Sequence, residues 1–297
     1  MALYAFDGTW NDNQPDDDLD TNVRKFFEAH ESESKDNFYV PGPGTRYGWL
    51  GKLLGGTFGF GGKQRVEEAY EALKKNFRGG DRTIDIVGFS RGSALALDFC
   101  NRIHDKGVGR EQAPAIRFLG LWDTVASFGI PGNEVNLTYK LTVPANVKKC
   151  FHALALDERR HNFTPERLGT HVEDADKEGR VYEVWFRGVH SDVGGGNKER
   201  GLPSIALHWM LVQAQRCGVP IRETAIGEQR ERMNPDAKIY KNTDPIVTGF
   251  RPVKWNDLVH FSVKPRGKID GVEHHNPPKN CAVVGDDMKP AGKFKTR

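Results

Sequence analysis

The sequence predicts an α/β domain with a mostly parallel central sheet flanked by helices, and three observations lead there. Short apolar runs recur along the chain, each ending on a glycine, an aspartate or a histidine. Segments of helical periodicity separate them. One run passes straight into a helix-forming stretch through Gly88-Phe89-Ser90-Arg91-Gly92. Alternation of this kind makes parallel neighbours, because a parallel strand pair needs a long crossover, usually a helix.

The first run covers residues 2–6 and is followed by Asp7-Gly8-Thr9-Trp10. Further strands are expected in NFYVPG from Asn37, TIDIVGFS from Thr83, AIRFLGLWD from Ala115 and VYEVWFRGVH from Val181, all rich in β-branched and aromatic residues. Helices are expected in KQRVEEAYEALKKNF from Lys63, RGSALALDFCNRIHDKG from Arg91 and LPSIALHWMLVQAQRCG from Leu202. Residues 11–20, NDNQPDDDLD, read as an acidic loop. Gly48–Gly62 reads as a partly apolar surface loop; neither Lys52 nor Lys63 is followed by the hydroxyl residue a phosphate-binding loop needs. From about residue 264 the chain is rich in Pro, Gly and Lys and is expected to be irregular. With no internal repeat and no long linker, residues 1–297 read as one domain.

Composition narrows the function. With 37% hydrophobic and 28% charged residues the chain is ordinary globular protein. A net charge of +3 is too small to make nucleic acid or an anionic membrane the main electrostatic target. The four cysteines (Cys100, Cys150, Cys217 and Cys281) are scattered, which suits free thiols in a reducing compartment and offers no metal spacing. No metal and no cofactor are expected. The start lacks a basic segment followed by an apolar one, and no apolar run approaches the ~18 residues of a spanning helix. The expectation is a chain made in the cytoplasm without a Sec signal, so that any export depends on another carrier.

The chemistry centres on Ser90. A serine in GxSxG, after a β-branched strand and before a helix, fits a sharp turn that lifts its hydroxyl above the sheet. Gly88 and Gly92 must be small there, because side chains would collide across the turn. A serine hydroxyl barely ionises at neutral pH, so it needs a general base, and the base needs an orienting acid. Asp123, released from the apolar run FLGLW, is the candidate acid. Among ten histidines, His190 in WFRGVHSDVGGG is the candidate base and His260 in DLVHFSV the alternative. His152 and His208 read as packed residues; His30, His104, His161, His171, His274 and His275 lie in charged contexts and are expected to face solvent. The FDGTW turn has a competing reading, since Asp7 resembles the second aspartate of a haloacid-dehalogenase phosphatase. The attacking aspartate of that class would stand at position 5, which holds Ala5. In an α/β hydrolase, one oxyanion amide follows the nucleophile and another comes from the loop after an early strand. That assigns Arg91 and either Gly8 or Thr9 to the oxyanion hole, with Asp7, helped by Asp192, holding the turn.

These pieces also resemble a known family. FDGTWND, TNV (Thr21–Val23), YVPGPGT (Tyr39–Thr45), AYEAL (Ala69–Leu73), GFSRGSA, LWDTVASFG, HALALDERRHNFTP (His152–Pro165) and WFRGVHSDVGGG occur in the order seen in the DUF2235 family, whose best-understood members are Tle1-type phospholipase effectors of type VI secretion. The resemblance implies an α/β-hydrolase fold and a Ser90-Asp123-His190 triad acting on acyl esters of membrane phospholipids. It also implies delivery by a secretion spike into the target cell's periplasm, a phospholipid or membrane surface as substrate, and an immunity protein in the producing cell. Two other readings stay open: an esterase or amidase on a soluble or cell-wall substrate, and a toxin or adaptor with a vestigial site.

Overall fold

The computed structural model describes residues 1–8, 20–31, 36–41, 57–125, 139–169, 179–239, 249–269 and 273–295. Nine strands form one sheet: β1 (Ala2–Phe6), β2 (Phe38–Val40), β3 (Ile84–Phe89), β4 (Phe118–Trp122), β5 (Cys150–Ala155), β6 (Val181–Phe186), β7 (Leu258–His260), β8 (Ala282–Val284) and β9 (Pro290–Lys293). Their order is β2-β1-β3-β4-β5-β6-β7-β8-β9. Every neighbouring pair is parallel except β8 with β9. The expected α/β class holds.

The period of two along each strand sorts side chains between two faces. Leu3, Ala5 and Val87 join a core beneath α1 (Asn22–Ala29), α5 (Gly201–Arg216) and α6 (Glu223–Arg232). Ala2, Tyr4, Phe6, Ile84 and Ile86 join a second core beneath α2 (Thr57–Arg78) and α3 (Arg91–Lys106). Both faces are covered, so the strands read as continuous apolar runs. Helix α5 is buried nearly all round, which is why LPSIALHWMLVQ lacks a polar stripe.

Topology then chooses where chemistry is possible. From β1 the chain steps outward to β2 and then returns to β3 on the other side, so the connection reverses between β1 and β3. A crevice opens beyond the carboxyl ends of strands at such a reversal. The register, Phe6 beside Gly88 and Phe89 beside Trp122, brings Asp7, Ser90 and Asp123 to that end together. Main-chain bonds carry the ladder past the strand ends: Asp7 N to Val40 O at 3.0 Å, Ser90 N to Trp122 O at 2.9 Å and Asp123 N to Ala153 O at 2.8 Å.

Several expectations change. Helix α2 starts at Thr57, so the end of the stretch read as a loop is helical; residues 42–56 lie outside the described residues. The strong periodicity of residues 63–78 lets the helix propagate back over its glycines. The described tail residues 264–269 and 273–281 lie in no helix or strand, as expected, but β8 and β9 then continue the sheet, and Cys281 and Phe294 are buried with Leu154, Trp185 and Val259. Its Pro290 opens an edge strand, where a missing N–H costs nothing. His30, expected in solvent, is buried at the end of α1, where apolar residues at 23, 26 and 29 turn inward. His171 and the acidic stretch 11–19 lie outside the described residues.

The glycines of the turn and of α2 make a paired test. A Cβ on Gly92 would lie 2.2 Å from Phe6 O and 2.6 Å from Asp7 O, whereas one on Gly61 meets nothing within 4 Å. Chemical denaturation of Gly92→Ala is expected to show a loss of about 2–4 kcal/mol or no folded protein. Gly61→Ala, in a helix interior, is expected to gain about 0.5–1 kcal/mol.

Candidate active site

Ser90 sits at the corner between β3 and α3 with φ 59° and ψ −126°. A non-glycine residue in that region stores on the order of 1–3 kcal/mol and persists only where its surroundings dictate it. Here they do. A Cβ on Gly88 would come within 2.7 Å of Ser93 Cα, and Gly92 lies against the β1 carbonyls. Ser90 O accepts from Ser93 N at 3.1 Å, so the corner turns directly into helix.

His190 opens the short helix α4 (His190–Gly194). Its Nε2 lies 2.9 Å from Ser90 Oγ, and its Nδ1 lies 2.6 Å from Asp123 Oδ2. A carboxylate only accepts, so the ring proton belongs on Nδ1 and Nε2 is left to accept from the hydroxyl. The ring lies between Phe89, centroid 4.6 Å away, and Phe163, at 4.9 Å and edge-on. Its backbone N–H donates to Glu158 Oε2 at 3.1 Å. Burial pushes the imidazole below its ordinary range, and the Asp123 carboxylate only partly opposes this.

Asp123 leaves β4 with φ 41° and is fully buried. Oδ1 accepts from Ala155 N at 2.9 Å and from Arg251 Nη1 at 2.6 Å; Oδ2 accepts from His190 and from Arg251 Nη2 at 3.1 Å. Burial favours the neutral acid, but the Arg251 charge and the His190 bond outweigh it. The carboxyl is held well below the usual range.

Gly8 lies beside the serine: a Cβ on it would be 3.3 Å from Ser90 Cβ. The Gly8 N–H, however, donates to Asp7 Oδ1 at 2.7 Å, so this amide, expected in the oxyanion hole, is turned to its own neighbour. Thr9 lies outside the described residues. Arg91 is the first residue of α3, where backbone amides point out of the helix, and burial lowers its guanidinium to about 10. Asp7 Oδ2 accepts from Thr21 Oγ1 at 2.6 Å and Tyr39 Oη at 2.5 Å, which ties together three of the quoted motifs. Asp192 accepts from Val189 N at 3.0 Å and Asn197 Nδ2 at 2.9 Å, fixing the turn that carries His190.

His260, the alternative base, is not brought to Ser90. It is buried in β7, with Nδ1 2.8 Å from Ser262 Oγ and Nε2 3.1 Å from Asp286 Oδ1. Its ring stacks on Phe186, because β7 lies four strands beyond β3 in the sheet. His152 is packed as expected, accepting from Thr124 N at 3.1 Å. Sequence reasoning missed Glu158 and Arg251. Glu158 lay inside the quoted HALALDERRHNFTP, whose role as a brace for His190 needs the fold. Arg251 had no local signal, since 128 positions separate it from Asp123. Among the described residues, no group of three or more His, Cys, Asp or Glu side chains is arranged to hold a metal. Among them, too, no helix is long and apolar enough to cross a membrane.

The parallel sheet and the strained serine corner define an α/β-hydrolase-like protein. More narrowly, the chain belongs to the family of type VI secretion phospholipase effectors with a Tle1-like catalytic domain, whose model matches residues 3–113 and 102–213. A crystal structure of an uncharacterized protein from Pseudomonas aeruginosa is similar at 21% identity and TM-score 0.50, over 77% of this chain and 47% of that one. A Tle1 effector bound to the VgrG spike of the type 6 secretion system is similar at 22% identity and TM-score 0.46, over 67% of this chain and 51% of that one. The uncharacterized protein YEL023C of Saccharomyces cerevisiae is 30% identical over 79 residues, 25% of this chain and 12% of that one. This chain therefore spans about half of the two solved relatives and a small part of the yeast protein.

Asp7 gives the turn a pH dependence. Burial pushes its carboxyl up to about 6, against the opposing bonds from Thr21, Tyr39 and Gly8. Between the unfolded value of about 3.9 and about 6, the folded chain keeps a proton that the unfolded chain loses, so stability falls as pH rises through that window. Urea unfolding at pH 4 and pH 7 is expected to show Asp7→Asn gaining roughly 2 kcal/mol on the unsubstituted protein over the interval. A difference independent of pH would contradict the burial argument.

Proposed function

We propose that this chain is a serine esterase that hydrolyses acyl esters of phospholipids. The observation that supports it best is the unbroken relay from Ser90 Oγ through His190 to Asp123, at 2.9 and 2.6 Å, in a member of a phospholipase effector family. Ser90 Oγ attacks the ester carbonyl while its proton passes to His190 Nε2, and Asp123 steadies the imidazolium. The oxyanion is stabilised by the Arg91 amide and by amides of the FDGTW turn, Thr9 first among them because the Gly8 N–H faces Asp7. Collapse expels the lyso-alcohol, which takes the proton from His190, and water then releases the acyl group from Ser90 by the same steps in reverse order of partners. The natural setting of this reading is a phospholipid surface reached through a secretion-spike protein, with an immunity protein protecting the producing cell.

Treatment with a serine-directed fluorophosphonate, followed by peptide mass spectrometry, is expected to label Ser90. Labelling should be lost in His190→Ala and kept in His260→Ala, and Ser90→Ala should lower turnover by at least about 10³-fold. Turnover on phospholipid vesicles above that on short-chain nitrophenyl esters supports lipid as substrate; the reverse order assigns a soluble ester. A biological effect that survives Ser90→Ala overturns the enzymatic reading in favour of a binding role.

A further inference from the structure

Hydrolases of this kind need an acid that holds the histidine, and a carboxylate with a few backbone donors suffices for that. The surroundings of Asp123 contain something more. Arg251 sits across the carboxylate as a two-pronged fork, Nη1 at 2.6 Å from Oδ1 and Nη2 at 3.1 Å from Oδ2, with both side chains buried. The same guanidinium donates to Ala155 O at 2.8 Å and to Phe163 O, so it also ties the end of β5 to the turn whose ring packs edge-on against His190. Residue 251 lies outside the stretch matched by the family model, which ends at residue 213.

We propose that Arg251 is a positioning residue of the site: a guanidinium clamp that fixes the Asp123 carboxylate toward His190 and cancels much of its charge, keeping the imidazole neutral and ready to take the Ser90 proton. This rests on the esterase reading above and adds a residue to it.

The charges settle the direction of the effect. An isolated buried carboxylate at 2.6 Å would strongly favour imidazolium, and a base already protonated cannot accept. With a full positive charge shared across both oxygens, Asp123 still accepts from Nδ1 and so sets the tautomer, but it attracts a second proton to the ring less. The other charged groups facing His190 are Glu158, bonded to its backbone, and Arg160, which pairs with Glu158 at 2.8 Å. They form an ion pair of their own, whose two charges act on the imidazole in opposite directions. His275 is bonded to the Arg251 backbone. Burial is what lowers His190, and the Asp123 carboxylate opposes it; by sharing both oxygens of that carboxylate, Arg251 weakens the opposition.

The test uses the full chain and two readouts across pH: imidazole NMR of His190, and the rate of fluorophosphonate labelling at Ser90 by mass spectrometry. In the unsubstituted protein His190 is expected to titrate below its ordinary value of about 6.5. In Arg251→Gln the midpoint and the acidic limb of labelling should both move up by about one pH unit, which lowers the rate by up to about tenfold at pH values well below both midpoints. Arg251→Lys, which keeps the charge and loses the fork, should leave the limb near its original place while lowering the plateau rate. A plateau that falls in Arg251→Gln with the limb unmoved would make the residue a structural tie alone and overturn the proposal. So would an unsubstituted His190 midpoint above about 6.5, a measurement that needs no variant to fold. If the unsubstituted protein is never labelled at Ser90, the esterase reading fails instead, and the NMR midpoints still report separately whether Arg251 controls the imidazole.

Discussion

The left-handed corner at Ser90 is the constraint on which the rest depends. With φ 59° the residue cannot relax into helix or strand, and the Gly92 backbone is pressed against the carbonyls of Phe6 and Asp7. The corner is thus locked by β1 from one side and by the first turn of α3 from the other. That lock raises the hydroxyl above the sheet at the point where the strand order reverses. It also makes the position of β1, and of Asp7 that follows it, inseparable from the position of the Ser90 hydroxyl. The strain is small compared with the burial of two apolar faces, which holds the strands in register whatever the corner costs.

Charge burial is the second constraint, and it is handled in two ways. Asp123 is fully buried and ionised, which is tolerable only with partners on both oxygens; Ala155, Arg251 and His190 supply them. Removing one partner of such a buried pair typically costs about 3–5 kcal/mol, because it strands the other charge. Asp7 is equally buried, but its partners are two hydroxyls and an amide, none of them charged. Its carboxyl rises to about 6 where that of Asp123 falls. Two aspartates at the ends of nearby strands therefore differ in charge behaviour because one faces a guanidinium and the other does not. The first is suited to orienting an imidazole, the second to holding a turn.

Much of this was legible in the residues. GxSxG between β-branched strand and helix located the corner, FLGLWD released the acid, and the glycines after His190 marked a turn that brings backbone close. Those are local signals, and local periodicity reports them well. What stayed hidden was short or distant. Strands β7, β8 and β9 have three or four residues each, too few for alternation to show, and the Pro and Gly of β9 read as loop. Helix α1 has eight residues, too few for its stripe at 23, 26 and 29 to stand out, and α6 buries only Ala225, Ile226 and Gln229 in its ten. His260 and His190 looked alike as strand-end histidines; only the strand order separates them. Arg251 was invisible because 128 positions separate it from its partner and the residue itself lies in no helix or strand.

The scattered motifs acquire a common physical role once the sheet is drawn. Thr21 caps α1 by accepting from Arg24 N at 3.2 Å, donates to Asp7, and pairs its backbone with Gly195 just past the histidine helix. Asn22, fully buried, donates to Val193 O at 2.8 Å and Pro203 O at 3.1 Å, fastening α1 to α4 and to the start of α5. Asp157 accepts from Gly188 N at 2.8 Å and Arg187 Nη1 at 2.9 Å, and Glu158 accepts from His190 N at 3.1 Å. Apart from the Thr21 cap within α1, each bond joins two separate segments at the carboxyl end of the sheet. Ser90 Oγ and His190 Nε2, 100 positions apart in the chain, stand 2.9 Å from each other, and loops alone do not give that precision. The polar ties between loops turn the crevice into a stiff frame, and this is why a site made of side chains from β3, β4 and α4 can behave as one object.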